Sequence, residues 1–554
     1  MYANERTYRE TGFSDVTAEL RPRTPFGRKR AAAMRVFLPG EEAALEAEFD
    51  RLQGVCGMLA AHGDAAKRIM GVFDEIKDLS HSLTRCAEDV LSTVELFEIK
   101  LLLLHMEALA GICGEIGGDL PDGFMPEDTG ALLDALDPEG ARMPTFYIYD
   151  MFSEELADLR RRKKEKERLL RAGQKRLADE VFAAVGVSPD PNLEAVIARS
   201  DAAAMESARD APRLRVAGED LFSVRFALVT DEADRALRAE ADALAAGIED
   251  AEERVRKRLT DAVCAEAARL LRNCERVGAL DFLMAKAAHA LRCGCVRPVI
   301  SRAHTLRAEA GRHLPTERAL RERGLDYRPV SIVLERGVSC ITGANMGGKT
   351  VSMKLAGLVA AMAQHGLFVP CESAVVGLSS SVGILIGDSQ NVRKGLSSFG
   401  GEMEALRVIL AESGERALIL IDEIAGATNP AEGRALTQSL IAHLSQRPCI
   451  TLMTTHFDGV AGAGTVANYR VRGLSDANPG ELAAALRDAG PDERLEAIAK
   501  LMDYRLERVS GDSETPKDAI RIAEILGIDQ EIIASARRFM DGEHSNRTEK
   551  GVLT

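Results

Sequence analysis

The sequence predicts an α/β P-loop NTPase domain preceded by a long, mostly α-helical region, and three observations carry that prediction. The stretch "TGANMGGKT", residues 342–350, places Gly343, Gly348, Lys349 and Thr350 at the G-x-x-x-x-G-K-[ST] spacing of a phosphate-binding loop. Around it, short β-branched runs alternate with helical segments, which is the texture of a mostly parallel sheet covered on both faces. Ahead of it, from about residue 41 to residue 115, apolar residues recur at helical spacing with few Gly or Pro breaks, and two further helical blocks follow a loop-like stretch.

The whole chain bounds the answer before any motif does. At 554 residues it is long enough for several cores. Its 46% hydrophobic and 28% charged residues are ordinary for a soluble protein, and the abundance of Ala, Leu, Glu and Arg favours helix. A formal net charge of -15 argues against a surface coated with basic groups for wrapping nucleic acid, although a local patch in an acidic protein still binds phosphates. Ten cysteines without a small disulfide-scaffold pattern fit a reducing compartment, and the Cys293/Cys295 pair, with no second pair or histidine set, reads as packing rather than zinc. No secretory leader is expected from "MYANERTYRETG". The apolar stretches "IKLLLLHMEALAGIC" and "LAGLVAAMAQHGLFV" are too short or interrupted to span a bilayer, so a cytoplasmic protein without membrane contact is expected.

Taken in order, residues 1–40 form an N-terminal segment and 41–305 a helical core with lever-like and clamp-like parts; an α/β domain covers 306–480 and a helical tail 481–554. Long packed helices are expected in "EEAALEAEFDRLQGVCGMLAAHG" and "VLSTVELFEIKLLLLHMEAL", followed by a Gly-, Pro- and Asp-rich loop over residues 117–144. Next comes "EELADLRRRKKEKERLLRAGQKRLADEVFAAV", where ten basic residues face three acidic ones between Asp158 and Arg176. Such a helix would suit a phosphate backbone, but a solvated coiled arm is the preferred reading. A third pattern runs unbroken by proline from about Thr230 to Leu291, the length of a coiled coil or lever. Strands are then expected in "SCITG", "SAVVGL", "VGILIG", "ALILIDE" and "CITLMTT".

The chemistry sits at the ends of these strands. In "SCITGANMGGKTVSMKLAG" a strand enters a glycine loop and then a helix, the context a Walker A match requires. Backbone N–H groups from Gly343, Ala344, Asn345, Met346, Gly347, Gly348 and Val351 would cradle the phosphates at the helix N-terminus. Lys349 would bring a point charge and Thr350 a hydroxyl for magnesium. The apolar "ALILIDE" ends in Asp422, a magnesium-shell carboxylate, and Glu423, placed to orient or deprotonate a water. "CITLMTTH" ends at His456, positioned for a γ-phosphate or that water. Between them, "IGDSQNVRKGLSSFGGEM" offers a second donor-rich helix entry, which points to Ser397 and Ser398 meeting the nucleotide of a second subunit, and so to a dimer.

From "EAGRHLP" through "TGANMGGKTVSMK", "GLFVPCESA", "IGDSQ", "SSFGGEM", "LILIDEIAGATNPAEG" and "TTHFD", the sequence resembles the ATPase domain of the MutS family, relatives of the ABC ATPases. The resemblance implies ATP and Mg2+ as cofactors, Lys349 and Thr350 as Walker A residues and Asp422 and Glu423 as the Walker B pair. It also implies Gln390 as the Q-loop position, Ser397 as the trans-acting signature serine and His456 as the switch. Two departures stand out: Ala344 replaces the usual proline, and "AGAT" from Ala425 to Thr428 replaces a glycine-arginine-glycine-threonine run. "GGKTVSMK", "IGDSQ" and "NPAEG" are more similar to the MutS2 branch, without its nuclease domain or the mismatch-reading domain of true mismatch binders.

Two clients fit. One is DNA, mismatched or branched, held by a dimeric ATP-driven clamp. The other is a protein, because "TNPAEG", "LMDYRL" and "PKDAIRIAEILGIDQEII" also resemble the MutS-like ATPase subunit of the lysine 5,6-aminomutase reactivase. A transporter ATPase fits less well, lacking the "LSGGQ" signature.

Overall fold

In "ALILID" and "ITLMTT" every residue is buried. Strands with no solvated face need a parallel sheet with helices on either side. The computed structural model supplies one; it describes residues 2–117, 123–190, 192–343, 348–387, 398–426, 428–457, 460, 465, 467–473, 503–509, 520, 523–524 and 528–539.

In chain order, five helices come first: α1 (Glu5–Glu10), α2 (Phe13–Ala18), α3 (Pro25–Ala32), α4 (Glu42–Ala61) and α5 (Gly63–Glu75). Then follow α6 (Ser80–Arg85), α7 (Thr93–Ile116), α8 (Gly130–Leu136), α9 (Glu154–Val185), β1 (Glu194–Ala198), α10 (Ala202–Asp210), β2 (Leu214–Glu219), β3 (Ser223–Leu228) and the 62-residue α11 (Glu232–Cys293). The α/β part holds β4 (Val299–Ser301), β5 (Thr305–Gly311), α12 (Leu314–Glu322), β6 (Val330–Glu335), β7 (Gly337–Thr342), α13 (Lys349–Gln364), β8 (Ser373–Gly377), β9 (Ser381–Leu385) and α14 (Ser398–Glu412). It closes with β10 (Ala417–Asp422), α15 (Pro430–Ser445), β11 (Ile450–Thr455), β12 (Ala467–Gly473) and β13 (Asp503–Val509). The chain divides into two compact units, one of Met1–Asp74, Ile112–Phe124 and Arg276–Thr554, the other of Glu75–Gly111 and Met125–Glu275.

The first unit is built on a six-stranded sheet of order β13-β12-β7-β11-β10-β9, parallel except for β13. Alternate residues of β10 feed opposite faces: Leu418 and Leu420 join Met353, Leu355 and Val359 of α13, while Ile419 and Ile421 join Ile441 and Leu444 of α15, with Phe399, Met403 and Leu406 of α14 packed alongside. The run "SAVVGL" is a strand but not of this sheet. As β8 it pairs with β4 and β5 in a four-stranded sheet of order β4-β8-β5-β6. Burial is written in an apolar run; its pairing partner is not.

Residues 2–37 belong to this core. Tyr2, Phe13 and Val16 pack among the α13 side chains, and the Tyr2 carbonyl accepts from the Val382 amide of β9 at 2.7 Å. Gln364, fully buried, exchanges hydrogen bonds with the Phe37 and Ser379 backbones and accepts from the Tyr2 hydroxyl. The helical reading of the 481–554 tail needs correction, because Asp503–Val509 forms β13, antiparallel to β12. "DYRLERV" alternates apolar and polar residues at period two, a strand signal that helix-forming neighbours on both sides mask.

In the second unit, α9 and α11 lie antiparallel: Glu155 pairs with Arg254, Arg160 with Glu252 and Lys166 with Glu240. The helix α9 starts on the Ser153 side-chain cap and stops at Gly186, whose φ of 75° is the left-handed conformation glycine adopts cheaply. Beyond it β1, β3 and β2 form a small antiparallel sheet whose Ile197, Val224 and Phe226 pack with Leu177 and Val181 of α9. The stretch 117–144, expected as loop, holds α8, because Leu132, Leu133 and Leu136 are spaced to bury one face. Among the described residues, no helix is long and apolar enough to cross a membrane.

Candidate functional site

The strand β7 delivers the chain to Gly343 at φ 138°, and Gly348 at φ 75° caps α13. Both conformations are open to glycine and costly to other residues. Gly348 is also close-packed, since a Cβ there would lie 3.0 Å from a Tyr504 ring carbon of β13. Ala344, Asn345, Met346 and Gly347, expected to line the loop, lie outside the described residues, as do Gln390 and Ser397.

Lys349, buried at the first position of α13, donates from Nζ to the Gly343 carbonyl at 2.8 Å and pairs with Glu423 Oε1 at 2.7 Å. One residue on, Thr350 Oγ1 donates to Asp422 Oδ2 at 2.7 Å, and Asp422 Oδ1 accepts from Thr454 Oγ1 at 2.5 Å. The parallel register places Asp422 beside Thr454, so the second hydrogen bond is a consequence of strand pairing. Glu423 follows at φ 43°, left-handed for a residue with a side chain, and its amide donates to the Thr454 carbonyl and hydroxyl. A magnesium ion fits this donor set: a hydroxyl and a carboxylate already in contact, with hard oxygen ligands only.

His456 lies just beyond β11, on the far side of the turn after Glu423. It is exposed, and a Cβ on Gly426 would sit 3.6 Å from its ring. The structure therefore gathers Gly343, Gly348, Lys349, Thr350, Asp422 and Glu423 and sets His456 against the neighbouring turn.

A cavity of about 490 Å³ opens on this cluster, lined by Gly348, Lys349, Thr350, Val351 and Glu423 together with Leu320, Tyr327, Arg328 and Tyr504, whose ring packs beside Gly348. Burial raises the phenols of Tyr504 and Tyr327, the latter to about 12, so both rings are neutral walls at physiological pH. These last lining residues were not foreseen from sequence. Tyr327 follows α12 in an unpatterned "GLDYRPV", and Tyr504 reaches the loop only through the pairing of β13 with β12. Thr454 had a signal, one of the two hydroxyls that close the fully buried strand "ITLMTT".

Fold and site thus define a mixed α/β protein whose glycine loop, lysine, hydroxyl and paired carboxylates meet at one end of a parallel sheet. Residues 339–542 match MutS domain V. Similar proteins include the endonuclease MutS2 of Shouchella clausii, 33% identical over 297 residues covering 53% of this chain and 34% of the relative, and that of Symbiobacterium thermophilum, 34% identical over 296 residues. The DNA mismatch repair protein MutS of Roseiflexus sp. is 35% identical over 214 residues, 38% of this chain and 19% of the relative. The similarity to the MutS proteins lies in this domain, and the chain spans about a third or less of the length of these relatives.

Proposed function

We propose that this chain is a magnesium-dependent ATPase with a P-loop domain related to those of the ABC ATPases. The observation that carries the reading is the convergence of Lys349, Thr350 and Glu423 on one cavity, with Asp422 hydrogen-bonded to Thr350. Its volume is within the roughly 300–1,000 Å³ of small-molecule sites. Lys349 provides positive charge for the β- and γ-phosphates, Thr350 and Asp422 hold the metal, and Glu423 orients the attacking water and takes its proton. Magnesium, when bound, neutralises charge on the phosphate oxygens. The lining residues Tyr327 and Tyr504 offer neutral rings on which a base stacks. Turnover by a homodimer, with Ser397 and Gln390 completing the sites and His456 responding to the γ-phosphate, would drive the α9/α11 arm as a clamp or lever.

For the client we favour DNA. The names of the relatives, an endonuclease and a DNA mismatch repair protein, point there, and so does one face of α9: Arg161, Lys164, Arg168, Arg171 and Lys175 are all exposed and recur at three- and four-residue steps. A protein client of the aminomutase-reactivase kind is the second reading. It is favoured by the net charge of -15 and by Arg160 and Lys166 being consumed in pairs with α11.

Hydrolysis and binding test both steps. Lys349→Ala should lose ATP binding, whereas Glu423→Gln should keep it and lose turnover; hydrolysis by Glu423→Gln at the parental rate would remove Glu423 from the reaction. Duplex binding titrated against salt should give a slope that falls by about 0.9 for each basic residue of the stripe removed. A stripe variant with parental affinity and slope, and turnover stimulated by a protein instead, would establish the second reading.

A further inference from the structure

The turn after β10 is held in a costly shape. Glu423 at φ 43° and Ala425 at φ 59° are both left-handed without being glycine, a conformation that persists only where the surroundings over-determine it. Three elements grip it. From β11, Thr454 accepts the Glu423 amide through both its carbonyl and its hydroxyl. From α15, Gly433 approaches so closely that a Cβ would lie 2.8 Å from the Ala425 carbonyl oxygen. From α14, Glu402 Oε2 accepts the Ala425 amide at 3.3 Å.

The third grip differs from the other two. Thr454 and Gly433 sit on elements of the core, and their contacts follow from strand pairing and helix packing. Glu402 lies in the second turn of α14, the helix that opens at Ser398. Its other oxygen points toward Gly387, 3.5 Å from where a Cβ would stand, at the end of the segment leaving β9. One half-buried carboxylate therefore touches the turn that carries the reacting glutamate and the exit of the neighbouring strand. Without it the Ala425 amide has no other acceptor among the described residues, and a left-handed alanine loses a restraint.

We propose that Glu402 is a positioning residue for ATP hydrolysis, which fixes the left-handed turn that aims Glu423 and makes that aim depend on the seating of α14. The proposal rests on Glu423 being the residue that orients water, and its test separates the two ideas. In the full chain, Glu402→Ala should raise hydrogen exchange at the Ala425 amide and lower kcat about tenfold, the loss of one hydrogen bond's orientation, with nucleotide Kd unchanged within about twofold. Glu402→Gln keeps an acceptor oxygen in place and should restore both quantities. Unchanged exchange at Ala425 in Glu402→Ala, or a Gln variant as impaired as the Ala variant, overturns the assignment. A parent chain without ATP turnover would refute the ATPase reading, while the exchange measurement, which needs no nucleotide, would still decide the role of Glu402.

Discussion

Lowering the pH from 7 to 5 should destabilise the first unit through histidines buried in the neutral form, of which His365 and His313 are the most enclosed by hydrogen bonds, His289 and His304 being depressed by burial as well. His365, at the end of α13, donates from Nδ1 to the Ala361 carbonyl at 2.7 Å, which leaves Nε2 to accept from the Tyr8 hydroxyl at 3.2 Å. His313 faces the Thr11 carbonyl with Nε2 at 3.1 Å and the Thr316 hydroxyl with Nδ1 at 2.7 Å, again one donor and one acceptor. Each ring is spent as the neutral tautomer, and a second proton would turn an accepted hydrogen bond into a clash of donors. Burial chiefly depresses both groups to about 4, against 6.5 for free histidine. The folded state thus refuses a proton that the unfolded chain binds below pH 6.5. Stability is complete above that value, falls as the pH drops toward 4, and falls no further below it. Linkage between 6.5 and 4 gives about 2 kcal/mol per histidine from pH 7 to pH 5, about 4 kcal/mol for the pair. Against a total of roughly 5–15 kcal/mol, that is a large share. The chain has no Trp, so urea midpoints are best followed by far-UV circular dichroism. The midpoint should fall steeply between pH 7 and 5 in the parent and less steeply in His313→Gln/His365→Gln. Equal slopes in parent and double variant would refute the assignment of the proton uptake to these rings.

Two further outcomes are expected. Lys100→Met should destabilise the second unit by up to about 3 kcal/mol, because buried Asp137 loses the Lys100 ammonium at 2.9 Å and keeps only Arg142, through its amide at 2.7 Å and its guanidinium at 3.6 Å, and thermal unfolding of the full chain reads the loss. If the sites are shared between subunits, mixing a Lys349→Ala chain with a Ser397→Ala chain should restore one composite site, and verified heterodimers without recovered hydrolysis would exclude trans action.

What was legible in the sequence is what local pattern determines. A fully apolar strand ending in Asp422, or a glycine loop between strand and helix ending in Lys349 and Thr350, needs no distant partner to be read, because burial and helix-end geometry follow from neighbours in the chain. Glu402 shows the other case. In sequence it is one acidic residue of α14; its meaning arises from the Ala425 amide 23 positions on, which a turn with two left-handed residues brings to it. Tyr504 is similar, since it reaches Gly348 only because β13 adds to the edge of β12. The first 37 residues were opaque for the same reason. Their helices are short, and what places them is Gln364, a residue more than three hundred positions away.

The basic arm makes the point sharpest, because there composition was read correctly and still could not decide. Ten positive residues against three negative ones describe a helix, not a face. Folding sorts them: Arg160 and Lys166 turn toward Glu252 and Glu240 of α11, and Arg160 also bonds the Ile148 carbonyl and Asp150, so these side chains hold the helix pair together. The exposed set, Arg161, Lys164, Arg168, Arg171 and Lys175, recurs at the spacing of one helix face, and the pairs of Arg161 with Asp158 and of Arg171 with Glu167 are surface contacts within one helix, each worth little. A charge reversal at Arg160 would loosen the arm and so imitate a loss of DNA binding. Only the exposed face separates the two clients: if all five residues contact phosphates, the slope of log affinity against log salt contains about -4.5 from them, and replacing them with glutamine should remove that part while the α9/α11 pairing stays intact.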